Sequence, residues 1–311
     1  VPEVAVDARG SLMVRDEPTA SVLVPPVGYL MVQLGRMVSI MPSDRLNRDP
    51  LDLQRELEGA VERNEFGVEY QPIIDLQSGA IAAVEALIRW RHPLLGTIPP
   101  GDYLPLAEQT GLIVPIGERV LATASRQLRT WHLGFARMQS LSLHVNVSPM
   151  QLSAPGFAQS VERALDEAEV SPVSLTLELG AGCSQYLEPA VELRDLGVDL
   201  VLEDFGTGTT LEDVRRLPVS GVKLHPSFVA LAAGTPEEVV FPEALLEIAH
   251  VRGLTATGKG IETRDQARRL SSMGCDLGQG FLYSKPLGPE GIGTLLARGR
   301  VSFAGSARPG R

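Results

Sequence analysis

The sequence predicts an α/β fold, a (β/α)8 TIM-like barrel whose first strand runs antiparallel, and three observations carry this. Eight short β-rich runs recur along the chain, amphipathic helical segments separate most of them, and polar residues gather at the ends of the runs. A chain of 311 residues accommodates one barrel of about 250 residues and a short extension.

Residues 1–48 carry Pro and Gly punctuation and no motif, which suits an N-terminal extension or the tail of a preceding module. Their most apolar stretch, 21–34, is too short to span a bilayer and contains Pro25 and Pro26, and no signal-peptide pattern is present. Residues 49–65 place Leu51, Leu53, Leu57 and Val61 near one helical stripe, as in a connecting helix. The barrel is expected over 66–297, with strands at 67–73, 81–90, 141–147, 174–179, 199–203, 221–225, 254–258 and 279–283. Only Gln77, Ser78, Gly79 and a few neighbours separate the first two runs, so they form a hairpin and the barrel opens with an antiparallel pair. Helices are expected at 114–131, 155–169, 242–252 and 263–273, with Pro155 and Pro242 in first turns and Gly274 as a terminator. The Gly-, Ser- and Arg-rich tail, 298–311, is expected to be disordered.

The formal net charge is −10 and no basic run tracks a phosphate backbone, which argues against a nucleic acid polymer as partner. A small anion in a local pocket remains compatible. The two cysteines, Cys183 and Cys275, lack metal-ligand spacing and read as packed thiols in a reducing cytoplasm, with no membrane segment in the chain. Trp90 and Trp131 read as core or edge aromatics, with guanine stacking open for Trp90.

Asn146, Glu178, Glu203, Asp204, Lys223, His225 and Lys259 fall at or just after the C-terminal ends of the runs, with Glu85 within the second run and Gln279 in the last. In a barrel those ends share one rim, so residues far apart in sequence converge on one site. Any one of them alone is more simply a satisfied strand end; the recurrence on nearly every strand is what points to a site.

Five motifs give the resemblance: Tyr70-Gln71-Pro72-Ile73, Val84-Glu85-Ala86-Leu87-Ile88-Arg89-Trp90, Val145-Asn146-Val147-Ser148, Asp204-Phe205-Gly206-Thr207-Gly208 and Gly278-Gln279-Gly280-Phe281. In this order and spacing they resemble the EAL family of cyclic di-GMP phosphodiesterases over roughly residues 66–297. The resemblance implies hydrolysis of one phosphodiester of cyclic di-GMP to linear pGpG with Mg²⁺ or Mn²⁺. It places Glu85, Asn146, Glu178 and Glu203 at first-metal positions and Asp204 and His225 at second-metal positions. Lys223 matches a lysine that orients water or phosphate, and Gln279 a further polar contact. Gln71, Arg89 and Glu262 match ligand-contacting positions, as Asn146 does beside its metal role.

Four departures from the family pattern set the functional expectation. Glu203 stands where the first of two adjacent aspartates is usual, one methylene longer, which octahedral Mg²⁺ tolerates poorly. His225 replaces an aspartate, Lys259 a glutamate, and Ala181 the second glutamate of Glu-(Ile/Val)-Thr-Glu. The last three changes shift the formal charge of the site by about +4, so two divalent ions are disfavoured. The chain is therefore expected to be a degenerate member that binds cyclic di-GMP as a regulatory module, with weak or absent hydrolysis and at most one divalent ion, or none. Lys259 would stand in for missing metal charge, acting with Glu85, Lys223 and Gln279 at the reacting centre. A metal-dependent phosphodiesterase is the alternative, and a protein-interaction scaffold without nucleotide the second; a homodimer or a protein partner is compatible with each.

Overall fold

The computed structural model describes residues 3–6, 12–15 and 50–300. The chain divides into two units, 1–47 and 48–311. In the first, β1 (Glu3–Val6) and β2 (Leu12–Arg15) form an antiparallel pair. The rest of the predicted extension, and the predicted tail beyond residue 300, lie outside the described residues.

The second unit begins with α1 (Pro50–Glu62), followed by the hairpin of β3 (Phe66–Asp75) and β4 (Ile81–His92). Asp75 closes its turn by accepting hydrogen bonds from the Ser78 amide and hydroxyl, and Gly79 takes a positive φ of 70°. A short strand, β5 (Gly96–Ile98), folds back on β4. Then α2 (Pro100–Thr110) and α3 (Ile113–Gly134) lead to the alternating part: β6 (Ser142–Val147), α4 (Pro149–Leu152), α5 (Phe157–Ala168), β7 (Leu175–Leu179), α6 (Leu187–Asp195) and β8 (Asp199–Phe205). It continues through α7 (Leu211–Arg216), β9 (Gly221–Leu224), α8 (Pro226–Leu231), α9 (Pro236–Val251), β10 (Thr255–Lys259), α10 (Arg264–Ser272), β11 (Leu277–Gln279) and α11 (Pro289–Arg298).

The strands close into an eight-stranded barrel. β3 pairs antiparallel with both β4 and β11, while β4, β6, β7, β8, β9, β10 and β11 run parallel in that order. This is the predicted α/β barrel with its antiparallel first strand. The core between barrel and helices is aliphatic, with α3 contributing Ile116, Val120, Ala124, Leu128 and Trp131 at helical spacing. Trp131 meets Tyr70 edge-on, with ring centroids 4.9 Å apart. Trp90 is fully buried and its Nε1 donates to Glu65, which settles it as a core aromatic and removes it as a stacking platform. Both cysteines are buried, and burial pushes their thiols up to about 12.

Three elements differ from expectation. The predicted helix at 242–252 begins six residues earlier, because Pro236 takes the first turn and Glu238 accepts from the Thr235 amide; Pro242 lies inside the helix. Pro155 precedes its helix, and Gly156, at a φ of 76°, is the residue that turns the chain into it. The eighth strand ends at Gln279 instead of starting there, because the backbone after Gln279 crosses the Ile261 peptide. A Cβ at Gly280 would lie 2.1 Å from the Ile261 carbonyl oxygen, and the Gln279 carbonyl accepts from the Ile261 amide at 2.9 Å. Gly280→Ala is accordingly expected to cost about 3 kcal/mol or more, read as a fall in the urea midpoint.

Candidate functional site

The C-terminal ends of the barrel strands surround a cleft of about 740 Å³. Gln71, Glu85, Arg89, Asn146, Glu178, Glu203, Asp204, Lys259, Glu262 and Gln279 all line it. At the floor lies Lys223, fully buried on β9.

Strand periodicity explains the arrangement. Glu85 pairs in register with His144, and Asn146 with Glu178, so the side chains of three strands, β4, β6 and β7, converge within a few ångströms. A bulge in β8 does the rest: two residues, Glu203 and Asp204, lie between Leu202 and Phe205 where one, Lys223, lies between their partners Val222 and Leu224 on β9. Asp204 takes a positive φ of 51° there, and Glu203 and Asp204 both reach the cleft although neighbouring strand residues normally point to opposite faces.

Charge compensation organises the centre. The Lys223 ammonium lies 2.8 Å from Glu85 Oε2, 2.6 and 2.8 Å from the two oxygens of Glu178, and 3.0 Å from Glu203 Oε1. Its three N–H groups face three carboxylates. Glu85 also accepts from Asn146 Nδ2 and Gln279 Nε2, each at 2.7 Å. Glu178 accepts from His144 Nδ1 at 2.7 Å, and Glu203 Oε2 accepts from Lys259, which lies 3.3 Å from Asp204 as well. Burial would strip the Lys223 proton, but the surrounding carboxylates hold its pKa well above the ordinary lysine value. Burial raises the Glu203 carboxyl, and Lys223 and Lys259 override that to hold it well below the carboxylate range. Glu178 goes the other way: burial and the adjacent Glu85 charge push it well above its usual value.

Gln71 Oε1 accepts from Gln279 Nε2 at 3.0 Å, which ties the neighbouring strands β3 and β11 together at the cleft. Arg89 is held by Glu69 at 2.8 Å and stays at the cleft wall, while Glu262 is exposed at the rim. His225 is not drawn in. Its Nδ1 caps α8, accepting from the Ser227 amide at 3.2 Å, and its side chain does not line the cleft. Among the described residues, the group able to present one ligand atom each within 4.8 Å is Glu85, Glu178 and Glu203; Asp204 and His225 stand outside it. Three carboxylates suit a hard divalent cation, and the buried Glu203 Oε1 meets Lys223 as an ion pair at 3.0 Å without hydrogen-bond geometry. The donor set thus fits one ion, at a position now taken by the Lys223 ammonium.

Two residues of the site escape sequence reasoning. His144 is buried beneath the carboxylates, and burial pushes its imidazole down to about 3, so it is neutral. Its signal is its place two residues before Asn146 on a strand, which assigns both to one face. Phe281, which the Gly278-Gln279-Gly280-Phe281 motif includes without a role, is half exposed at the cleft mouth with the Lys285 ammonium 5.7 Å from its ring centre.

Such a barrel, with a carboxylate cluster at its C-terminal rim, defines the class; the comparisons define the family. The EAL domain family profile matches residues 54–286, and the chain belongs to that family. It is 34% identical over 264 residues to the cyclic di-GMP phosphodiesterase PA2567 of Pseudomonas aeruginosa, covering 83% of this chain and 44% of the relative. With the uncharacterised protein sll1895 of Synechocystis sp. the identity is 36% over 265 residues, 83% of this chain and 38% of the relative. The chain therefore spans less than half the length of these two relatives. Among solved structures, the PaMucR phosphodiesterase in complex with c-di-GMP superposes with a TM-score of 0.72 at 35% identity, over 78% of this chain and 99% of that one.

Proposed function

We propose that this EAL domain binds cyclic di-GMP in the cleft as a regulatory module of cyclic di-GMP signalling, without requiring a divalent ion and with weak or absent hydrolysis. The observation that supports this best is the internal neutralisation of the site. Lys223 and Lys259 supply the cationic charge that metals would otherwise bring, and both oxygens of Glu85 and Glu178 already accept hydrogen bonds from the chain. An ammonium at the cleft wall meets a phosphodiester by a charge-assisted hydrogen bond. Arg89 offers a planar donor group nearby, and Gln279 Oε1, buried and without a hydrogen bond, offers an acceptor. No helix among the described residues is long and apolar enough to cross a membrane; a cytoplasmic place for the domain is part of the proposal.

A second reading, metal-dependent hydrolysis, is favoured by the convergence of Glu85, Glu178 and Glu203 and by the relative named as a phosphodiesterase. A divalent ion bound by those three would supply Lewis acidity and lower the pKa of water. In that reading Gln279 and Asn146 orient Glu85, and Lys223 gives up its central position.

Calorimetric titration of cyclic di-GMP in EDTA and in Mn²⁺, followed by chromatography for pGpG, separates the readings. The expected result is equal affinity in both buffers and no product. Binding that vanishes in EDTA, with pGpG formed in Mn²⁺, reverses the order of the two readings; absence of binding in both buffers supports the scaffold.

A further inference from the structure

We infer that Glu203 is a positioning residue for Lys259, holding its ammonium inside the cleft where a ligand's phosphate is met. The inference deepens the ligand-binding reading and rests on it. A lysine at a strand end ordinarily swings its head into solvent, where it keeps hydration and rotamer freedom. Lys259 does not: its side chain is 30% exposed and its Nζ is turned inward onto Glu203 Oε2 and Asp204 Oδ1. The inward turn has a structural cause in β8. The bulge between Leu202 and Phe205 presents two consecutive carboxylates to one ammonium.

The two carboxylates are not equivalent. Asp204 is 43% exposed, and solvent screens its pull. Glu203 is 8% exposed and anchored from behind, because its other oxygen lies 3.0 Å from the fully buried Lys223. Glu203 is therefore a bridge between two ammonium groups, one fixed in the barrel floor and one at the cleft wall. Its length is what permits this. An aspartate at 203 would withdraw the carboxylate by about 1.5 Å, one carbon–carbon bond, so it would meet Lys223 or Lys259 and not both. Glu203 and Lys259 then form one coupled unit, and the longer acid acquires a purpose that metal ligation does not give it.

The test is a double-mutant cycle read by calorimetry with cyclic di-GMP in EDTA, on the full chain. Glu203→Asp keeps the charge and removes the reach, and it is expected to weaken binding about 10-fold. In a Lys259→Met background the same change is expected to shift affinity less than 2-fold. Glu203→Asp combined with Lys259→Arg, whose longer side chain spans the gap, is expected to recover affinity to within 3-fold of the parent. An equal loss from Glu203→Asp in both backgrounds, or no loss in the parent, overturns the inference. Should Glu203→Asp alone fail to fold, the Arg-rescued variant decides: recovered folding and binding support the pair, and an unfolded protein overturns it. Should the parent not bind cyclic di-GMP, the functional reading fails and the pairing is judged separately by urea denaturation without ligand. There, coupled midpoint shifts for Glu203→Asp and Lys259→Met uphold the positioning, and additive shifts overturn it.

Discussion

Lys223→Met is expected to lower the stability of the barrel by about 3–5 kcal/mol, the cost of breaking a buried ion network by removing one partner. Methionine fills much the same space, so the loss is electrostatic and not a cavity effect. Three carboxylates that now share one ammonium would be left facing one another at a site where Glu85, Glu178 and Glu203 are almost wholly withdrawn from solvent. Urea denaturation at pH 7 measures the cost. Two accompanying results are expected. Acidification narrows the deficit, because buried carboxylates without a cation take up protons in the folded state more readily than in the unfolded one. Millimolar Mn²⁺ raises the midpoint of the variant more than that of the parent, because an ion that binds only the folded cluster stabilises it by mass action. A deficit below about 1 kcal/mol at pH 7 would mean that the cluster is already largely protonated and that Lys223 is no counter-ion to it.

The contrast between Lys223 and His225 shows what the sequence can and cannot convey. The barrel, its antiparallel opening and the convergence of the rim are legible because they follow from local signals: strand periodicity, the short Gln77-Ser78-Gly79 connection and the geometry common to all closed parallel barrels. That Lys223 lies among the carboxylates follows from its place on an inward-facing strand. That it contacts Glu85, Glu178 and Glu203 at once does not, because the choice among partners 138, 45 and 20 residues away depends on packing. His225 illustrates the opposite limit. Its position after β9 suggests a rim ligand, but the two-residue step to Ser227 lets the ring cap α8, and local hydrogen bonding decides where the side chain goes. His144 needed no long-range information, only attention to the face it shares with Asn146. The bulge in β8 had no local signature at all, and without it Asp204 would have faced away from Lys259.

Lys259→Ala is expected to weaken cyclic di-GMP binding by about 1–3 kcal/mol, roughly 5- to 150-fold, while the parent's affinity is unchanged by EDTA. The direction follows from where the ammonium sits. Lys259 keeps partial exposure at the cleft wall, so it can share its charge with an incoming phosphate, whereas Lys223 is committed to three carboxylates below. Its removal also leaves Glu203 and Asp204 less compensated, which adds repulsion to the lost contact. The same logic predicts the converse variant. Lys259→Glu adds acidic charge at the cleft wall and His225→Asp adds it where β9 meets α8, and aspartate is itself a good helix N-cap, so α8 keeps its start. That double variant is expected to gain Mn²⁺ affinity, read by calorimetry with the metal alone, and to lose the metal-independent binding of cyclic di-GMP. If it also releases pGpG, the cleft retains the remaining machinery for hydrolysis, and Lys259 and His225 are what hold it silent. If Lys259→Ala binds cyclic di-GMP as tightly as the parent, the ammonium is not the phosphate's partner, and the ligand is held by Arg89 and the amide groups of Gln71, Asn146 and Gln279 instead.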